Sequence, residues 1–333
     1  MKRRAFLSAA AACSALTASG QAARAQTSRR FAAAEAFSAE RDGASFLIAR
    51  HGVVLAEAYP RGNPDARWPI GEATRAFAIL LAATLAEDGL LNLDEPVALT
   101  IGDWGAHPVK SIISLRVLLS GASGIAFGRN DERTLANAIA LEPRHEPGTR
   151  FLDDAAPYVV FAEIARRKLV TAGREPDPAY YLTGETLQRI GCIPIGWARG
   201  GDGAARFDDG VALSARAWAL AGELLRREGV WRAQQLASAN VIREALRGSF
   251  AEPRAGFGLW LAAPGRGDLD IDSDLWRAPS PAPPGLAMAV GAGGQRLYVS
   301  PTEGLVIVRQ ARGVERSARW SDAQFLSLVY RDL

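Results

Sequence analysis

The stretch WPIGEATRAFAILLAATLAEDGLLNLDEPVAL, from Trp68 to Leu99, decides the fold. A short extended run turns at Gly71, and a helix is expected from about Glu72 to Glu87. Ala73, Ala76, Phe77, Ile79, Leu80, Leu81, Ala83 and Leu85 leave that helix apolar on nearly every face, so it belongs at the centre of the molecule. Asp88-Gly89 ends it, with glycine supplying the left-handed residue that closes helices. Glu72 and Arg75 stand one turn apart at its start, where a carboxylate suits the helix dipole and an arginine can pair with it.

Upstream, an Ala-rich helical segment at Arg29 to Phe37 precedes an expected hairpin. Its strands are Ser45 to Arg50 and Val53 to Tyr59, joined by a His51-Gly52 turn. Downstream, ISLRVLLSGASGI (residues 113–125) gives a short helix capped by Ser114 and closed by Gly121 and Gly124. Gly121-Ala122-Ser123-Gly124 superficially suggests a nucleophile elbow, but Ile125 replaces the last glycine. Pro147-Gly-Thr-Arg-Phe151 leads through Asp153 and Asp154 into an amphipathic helix from Ala156 to Leu169. A further helix and turn are expected over 176–195, a Gly-rich loop at 199–204, and helices from Ser214 to Glu228 and from Trp231 to about Ser238. Strand character returns at Phe257 to Ala262. After a Gly/Pro-rich excursion at 263–285, it resumes at Leu286 to Val290, Gln295 to Ser300 and Leu305 to Gln310. A helix from Ser321 to Tyr330 closes the chain.

In their order and spacing these segments resemble the serine β-lactamase-related superfamily: class C β-lactamases, D,D-peptidases, and esterases and amidases of like build. The resemblance implies an α+β fold of the serine β-lactamase/penicillin-binding-protein type, an antiparallel sheet flanked by helices plus an inserted all-helical lobe. The α/β lobe would hold about residues 26–71 and 254–333, and the helical lobe about 72–253. In that family the central helix opens with Ser-x-x-Lys, the Ser being acylated and the Lys helping to deprotonate it. This chain has Glu72-Ala73-Thr74-Arg75 there. Aligning on the Pro-Gly puts Asp153 where the family has its relay Tyr, and Ala155 where it has its Asn. The third motif, Lys-Thr-Gly or His-x-Gly, falls at Val290 or Ala292.

The 333 residues are 48% hydrophobic and 23% charged, enough to bury a large core. Residues 1–25 read as a twin-arginine export signal: Lys2-Arg3-Arg4-Ala5-Phe6-Leu7, an apolar Ala-rich stretch, and Ala23-Arg24-Ala25 for cleavage. Without Lys2, Arg3, Arg4 and Arg24, the net charge of +3 becomes 35 basic against 36 acidic side chains. The basic excess therefore belongs to the signal and argues for no nucleic-acid partner. Cys192 would be the only cysteine left, which rules out an internal disulfide. No later apolar run is long enough to span a membrane. A periplasmic or secreted protein is expected, with no metal and no cofactor.

Serine acylation needs a base able to take the hydroxyl proton. The chain has three lysines, Lys2, Lys110 and Lys168, and neither of the latter two lies three residues after a serine. Arg75 stays protonated and cannot substitute. Three possibilities stand open. One is a non-catalytic homologue with a small-molecule, peptide or saccharide ligand in its interlobe cleft. Another is a hydrolase repurposed around the carboxylates Glu72 and Asp153, as in glycoside hydrolysis. The third is a serine hydrolase with an unrecognised nucleophile, Ser123 being the candidate. Beside these stands a structural ion-pair cluster of Glu72, Arg75 and Asp153, with Asp153 or Asp154 capping the next helix. Trp276 is the candidate ligand-binding aromatic, while Trp68 and Trp260 are expected in the core.

Overall fold

The computed structural model describes residues 30–193, 196–263, 271, 273–276, 282–312 and 320–333. The expected export signal lies outside these residues. Helix α1 (Ala32–Ala39) leads into strands β1 (Gly43–Arg50) and β2 (Val53–Ala58). His51 and Gly52 join them, both left-handed (φ 50° and 79°), which is the two-residue turn that matches strand twist. Strand β3 (Arg67–Pro69) passes through a 3-10 turn at Gly71–Thr74 into helix α2 (Arg75–Glu87). Every residue of α2 from Ala76 to Leu85 is buried, as its all-round apolar surface requires. The helix closes at Gly89 (φ 72°), with the Leu90 N–H donating to the Leu85 carbonyl at 2.8 Å and the Gly89 N–H to the Ala86 carbonyl at 3.1 Å.

Helices α3 (Leu115–Leu119), α4 (Leu135–Ala140), α5 (Ala156–Thr171) and α6 (Pro178–Leu182) follow. Strands β4 (Gly196–Trp197) and β5 (Val211–Ser214) then pair with β3 in a small sheet of order β3-β5-β4. After helix α7 (Ala215–Arg226), residues expected to be helical from Trp231 instead form a short hairpin, β6 (Val230–Trp231) and β7 (Gln234–Gln235). Its turn residues Arg232 and Ala233 have φ of 47° and 61°, which a right-handed helix cannot contain. The helix starts later, as α8 (Ala239–Ala245), where the Ser238 N–H donates to the Ala83 carbonyl of α2 at 2.8 Å. The inserted region is thus mainly helical, with α5, α6 and α8 packed on α2, and it also carries these short strands. Among the described residues, no helix is long and apolar enough to cross a membrane.

Strands β8 (Trp260–Leu261), β9 (Ala287–Gly291), β10 (Gln295–Ser300) and β11 (Leu305–Ala311) and helix α9 (Asp322–Arg331) complete the chain. Together with the N-terminal hairpin they form one antiparallel sheet of order β2-β1-β11-β10-β9-β8. The two ends of the chain therefore close a single sheet around the insert. Successive side chains alternate faces. Phe46, Ile48, Tyr298 and Ile307 join Phe325 and Leu326 of α9 in one core, while Leu47, Ala49, Leu297, Val306 and Val308 join the core containing α2 and α7.

A fully buried charge cluster sits where β9 turns into β10. Asp322 pairs with Arg296 (Oδ1 to Nε 2.9 Å, Oδ2 to Nη2 3.3 Å) and also accepts from the Tyr298 hydroxyl and, at 2.9 Å, from the Trp320 indole N–H. Arg296 Nη1 donates to the carbonyls of Gly291 and Gln295, and Arg309 Nη1 to those of Gly293 and Gly294, so two guanidinium groups hold the 291–295 turn from behind. Burial works against the Asp322 charge, but Arg296 and the Tyr298 and Trp320 donors outweigh it and hold the carboxyl below its usual pKa. Asp322→Asn should cost about 3–5 kcal/mol at neutral pH, because it removes the buried carboxylate that faces the Arg296 guanidinium. A group with a lowered folded pKa stabilises above its unfolded pKa and loses that contribution in acid. The gap between wild type and Asp322→Asn in urea unfolding should therefore be constant above about pH 5 and shrink below about pH 4.

Candidate functional site

A cleft of about 400 Å³ opens between the end of β9, the Gly71–Thr74 turn, the start of α5 and the 255–260 segment. The first contact that shapes it is between backbones. A Cβ built on Gly291 would lie 1.9 Å from the Ile70 carbonyl oxygen, so only glycine lets the end of β9 rest on the turn ahead of α2. That approach carries the next residue to Glu72: the Ala292 N–H donates to Glu72 Oε2 at 3.0 Å. Of the two third-motif candidates, Val290 and Ala292 both line the cleft, and it is Ala292 that touches Glu72.

Arg75 forms the floor and Asp153 the rim, their side chains being 12% and 40% exposed. Arg75 Nη1 is ion-paired with Asp153 Oδ1, and its Cζ stands 5.1 Å from the centre of the Tyr158 ring. Arg75 Nε is buried and has no hydrogen-bond partner among the described residues. Burial works against the charge on Arg75, yet the fields of Asp153, Tyr158 and Glu72 outweigh it and raise the guanidinium pKa above its ordinary value. Burial also pushes the Tyr158 phenol up to about 12, so it keeps its proton at neutral pH.

The remaining sequence candidates are placed differently. Asp154 lines the cleft, but its Oδ1 is committed to backbone, accepting the N–H of Ala156 at 2.8 Å and of Phe127 at 3.0 Å, and so it ties the start of α5 to the 121–127 segment. Ser123 is fully buried, and its Oγ accepts the Ile125 N–H at 3.3 Å, a structural turn contact away from the cleft lining. Trp276 stands behind Trp260, ring centres 6.0 Å apart, with its indole N–H given to the Leu261 carbonyl at 2.9 Å. Trp260 is buried in the core, as expected, and is also the tryptophan that lines the cleft, edge-on to Phe151. Trp68 is half-buried on β3.

Tyr158, Phe151 and Trp260 give the cleft an aromatic wall that the sequence did not announce. The one local hint was Tyr158, four residues beyond Asp154 and so in the first turn of α5. Among the described lining residues there is no Ser, Thr, Cys, Lys or His. A second cavity of about 720 Å³ lies beside the 199–208 loop, but its Arg166, Arg199 and Arg206 are each paired with an acid: Glu163, Asp177 and Asp209. Truncating Arg75 removes the cation that pairs with Asp153 and whose charge Glu72 also favours. Arg75→Ala should destabilise the protein by about 1–3 kcal/mol in urea unfolding, and more than Asp153→Asn does.

No curated protein matches the sequence. Solved structures do resemble this one. A penicillin-binding-protein homologue from Caulobacter crescentus shares 17% identity at a TM-score of 0.68, over 92% of this chain and 98% of that one. EstCE1, a hydrolase with promiscuous acyltransferase activity, shares 16% at 0.70, over 92% and 99%. A family VIII carboxylesterase shares 18% at 0.68, over 94% and 98%. These likenesses establish the α+β fold of the serine β-lactamase/penicillin-binding-protein type. The Beta-lactamase family model matches residues 28–326, nearly the whole of what the sheet and its helical insert comprise, and the chain belongs to that family.

Proposed function

We propose that this chain is an exported, non-catalytic member of the family that binds a small-molecule, peptide or saccharide ligand in its cleft. The carrying observation is that ion pairs and hydrogen bonds occupy the cleft floor, Glu72 on Ala292 and Arg75 on Asp153. Acyl transfer would need a nucleophile next to a proton acceptor. Arg75 cannot accept a proton, and Tyr158 does not release one near neutral pH. A second possibility, hydrolysis by a pair of carboxylates, draws on Glu72 and Asp153 lining the same cleft. Each of them already accepts a hydrogen bond from a fixed donor, which weighs against that role.

Intact-mass spectrometry after incubation with penicillin should return the unmodified mass. A stoichiometric adduct removed by Ser123→Ala would instead make this a serine hydrolase. Aryl-glycoside hydrolysis abolished by Glu72→Gln without loss of stability would make it a carboxylate one. Export through the twin-arginine signal predicts that changing Arg3 and Arg4 together to Lys retains the protein in the cytoplasm, as read by cell fractionation.

A further inference from the structure

We propose that the Glu72 carboxylate is a tethered ligand, filling from within the chain a subsite for a small monocarboxylate at the Ala292 N–H, beside the Arg75 guanidinium. This inference rests on the cleft being a binding site. Its first support is that the donor is preformed. The Ala292 N–H belongs to a turn whose neighbouring carbonyls are held by Arg296 and Arg309, so its direction does not depend on Glu72. Preorganised donors of this kind favour an anion without reorganising when it arrives.

The second support is an imbalance of donors over acceptors. A guanidinium offers five N–H groups. Arg75 gives Nη1 to Asp153, while its buried Nε has no partner among the described residues. Arg166, Arg199 and Arg206 of the second cavity, also paired with acids, show no such buried unpartnered nitrogen. The third support is the wall: Phe151, Tyr158 and Trp260 offer apolar surface beside these donors, which suits a carboxylate carried on an apolar or aromatic body. Glu72 then acts as an internal competitor that sets how tightly such a ligand binds.

Benzoate and its neutral isostere benzamide test this, by calorimetric titration and thermal shift at constant ionic strength. Glu72→Ala should bind benzoate at least about tenfold more tightly than wild type, the worth of one charge-assisted hydrogen bond no longer contested. Glu72→Gln, whose neutral amide still fills the place but competes less well, should fall between wild type and Glu72→Ala, and benzamide should gain nothing. Equal benzoate affinity in wild type and Glu72→Ala, or equal gains for benzoate and benzamide, would overturn the subsite. Should Glu72→Ala not fold, Glu72→Ser carries the same comparison with the same two outcomes. A penicillin adduct on the wild-type protein would overturn the binding-only function, a result separate from any of these affinities.

Discussion

The end of β9 touches the turn ahead of α2 because Gly291 has no side chain to keep it from the Ile70 carbonyl. Everything in the cleft depends on that contact. The turn belongs to the start of the helical insert and β9 to the main sheet, so a methyl group at Gly291 would push the two apart where they meet. With the gap closed, the Ala292 N–H reaches Glu72, and Glu72 in turn lies one helical turn from Arg75. A backbone constraint thus sets the positions of the charges.

The price of such closeness is a tight β9–β10 turn whose carbonyls face inward, and the fold satisfies them with charge. Arg296 and Arg309, both fully buried, take up carbonyls from Gly291 to Gln295, and Asp322 neutralises Arg296. Buried ions cost more to desolvate than an apolar core would. Here they are well satisfied, since Asp322 has three donor residues and Arg296 and Arg309 share four carbonyls of the turn, with the Arg41 carbonyl also taken by Arg309. The cleft itself is less evenly balanced: Arg75 is paired through Nη1 and left with a buried N–H to spare. Within one molecule, the structural cluster is closed and the cleft cluster is open on one side.

Local signals carried much of the architecture. The α2 helix was legible from its unbroken apolar surface and its Gly89 stop. The serine caps were legible from one hydroxyl before an apolar run, and the N-terminal hairpin from two alternating segments around His51-Gly52. The pairing of Arg75 with Asp153 was legible through the resemblance, because aligning on the Pro-Gly puts Asp153 at the family's relay-Tyr position. The β6–β7 hairpin was not, since its left-handed turn is built from Arg232 and Ala233, residues that carry no turn signal. Trp260 lies in the core as expected and also borders the cleft, while Trp276 does not reach the cleft lining, for a similar reason. Which indole faces the cleft is settled by the packing of one ring behind the other, and no residue adjacent in sequence reports that.

Proton chemistry gives the last constraint. A hydroxyl at position 72 would still have Arg75 as its neighbour, and a guanidinium whose charge Asp153 reinforces stabilises an alkoxide without ever accepting its proton. Asp153 is held by that same guanidinium, and the Tyr158 phenol keeps its own proton. Acquiring a base here therefore means changing position 75 as well as position 72. Changing 75 releases Asp153 and removes the cation that both carboxylates face. Acyl transfer therefore needs both positions changed, and the change at 75 also breaks the Arg75–Asp153 ion pair.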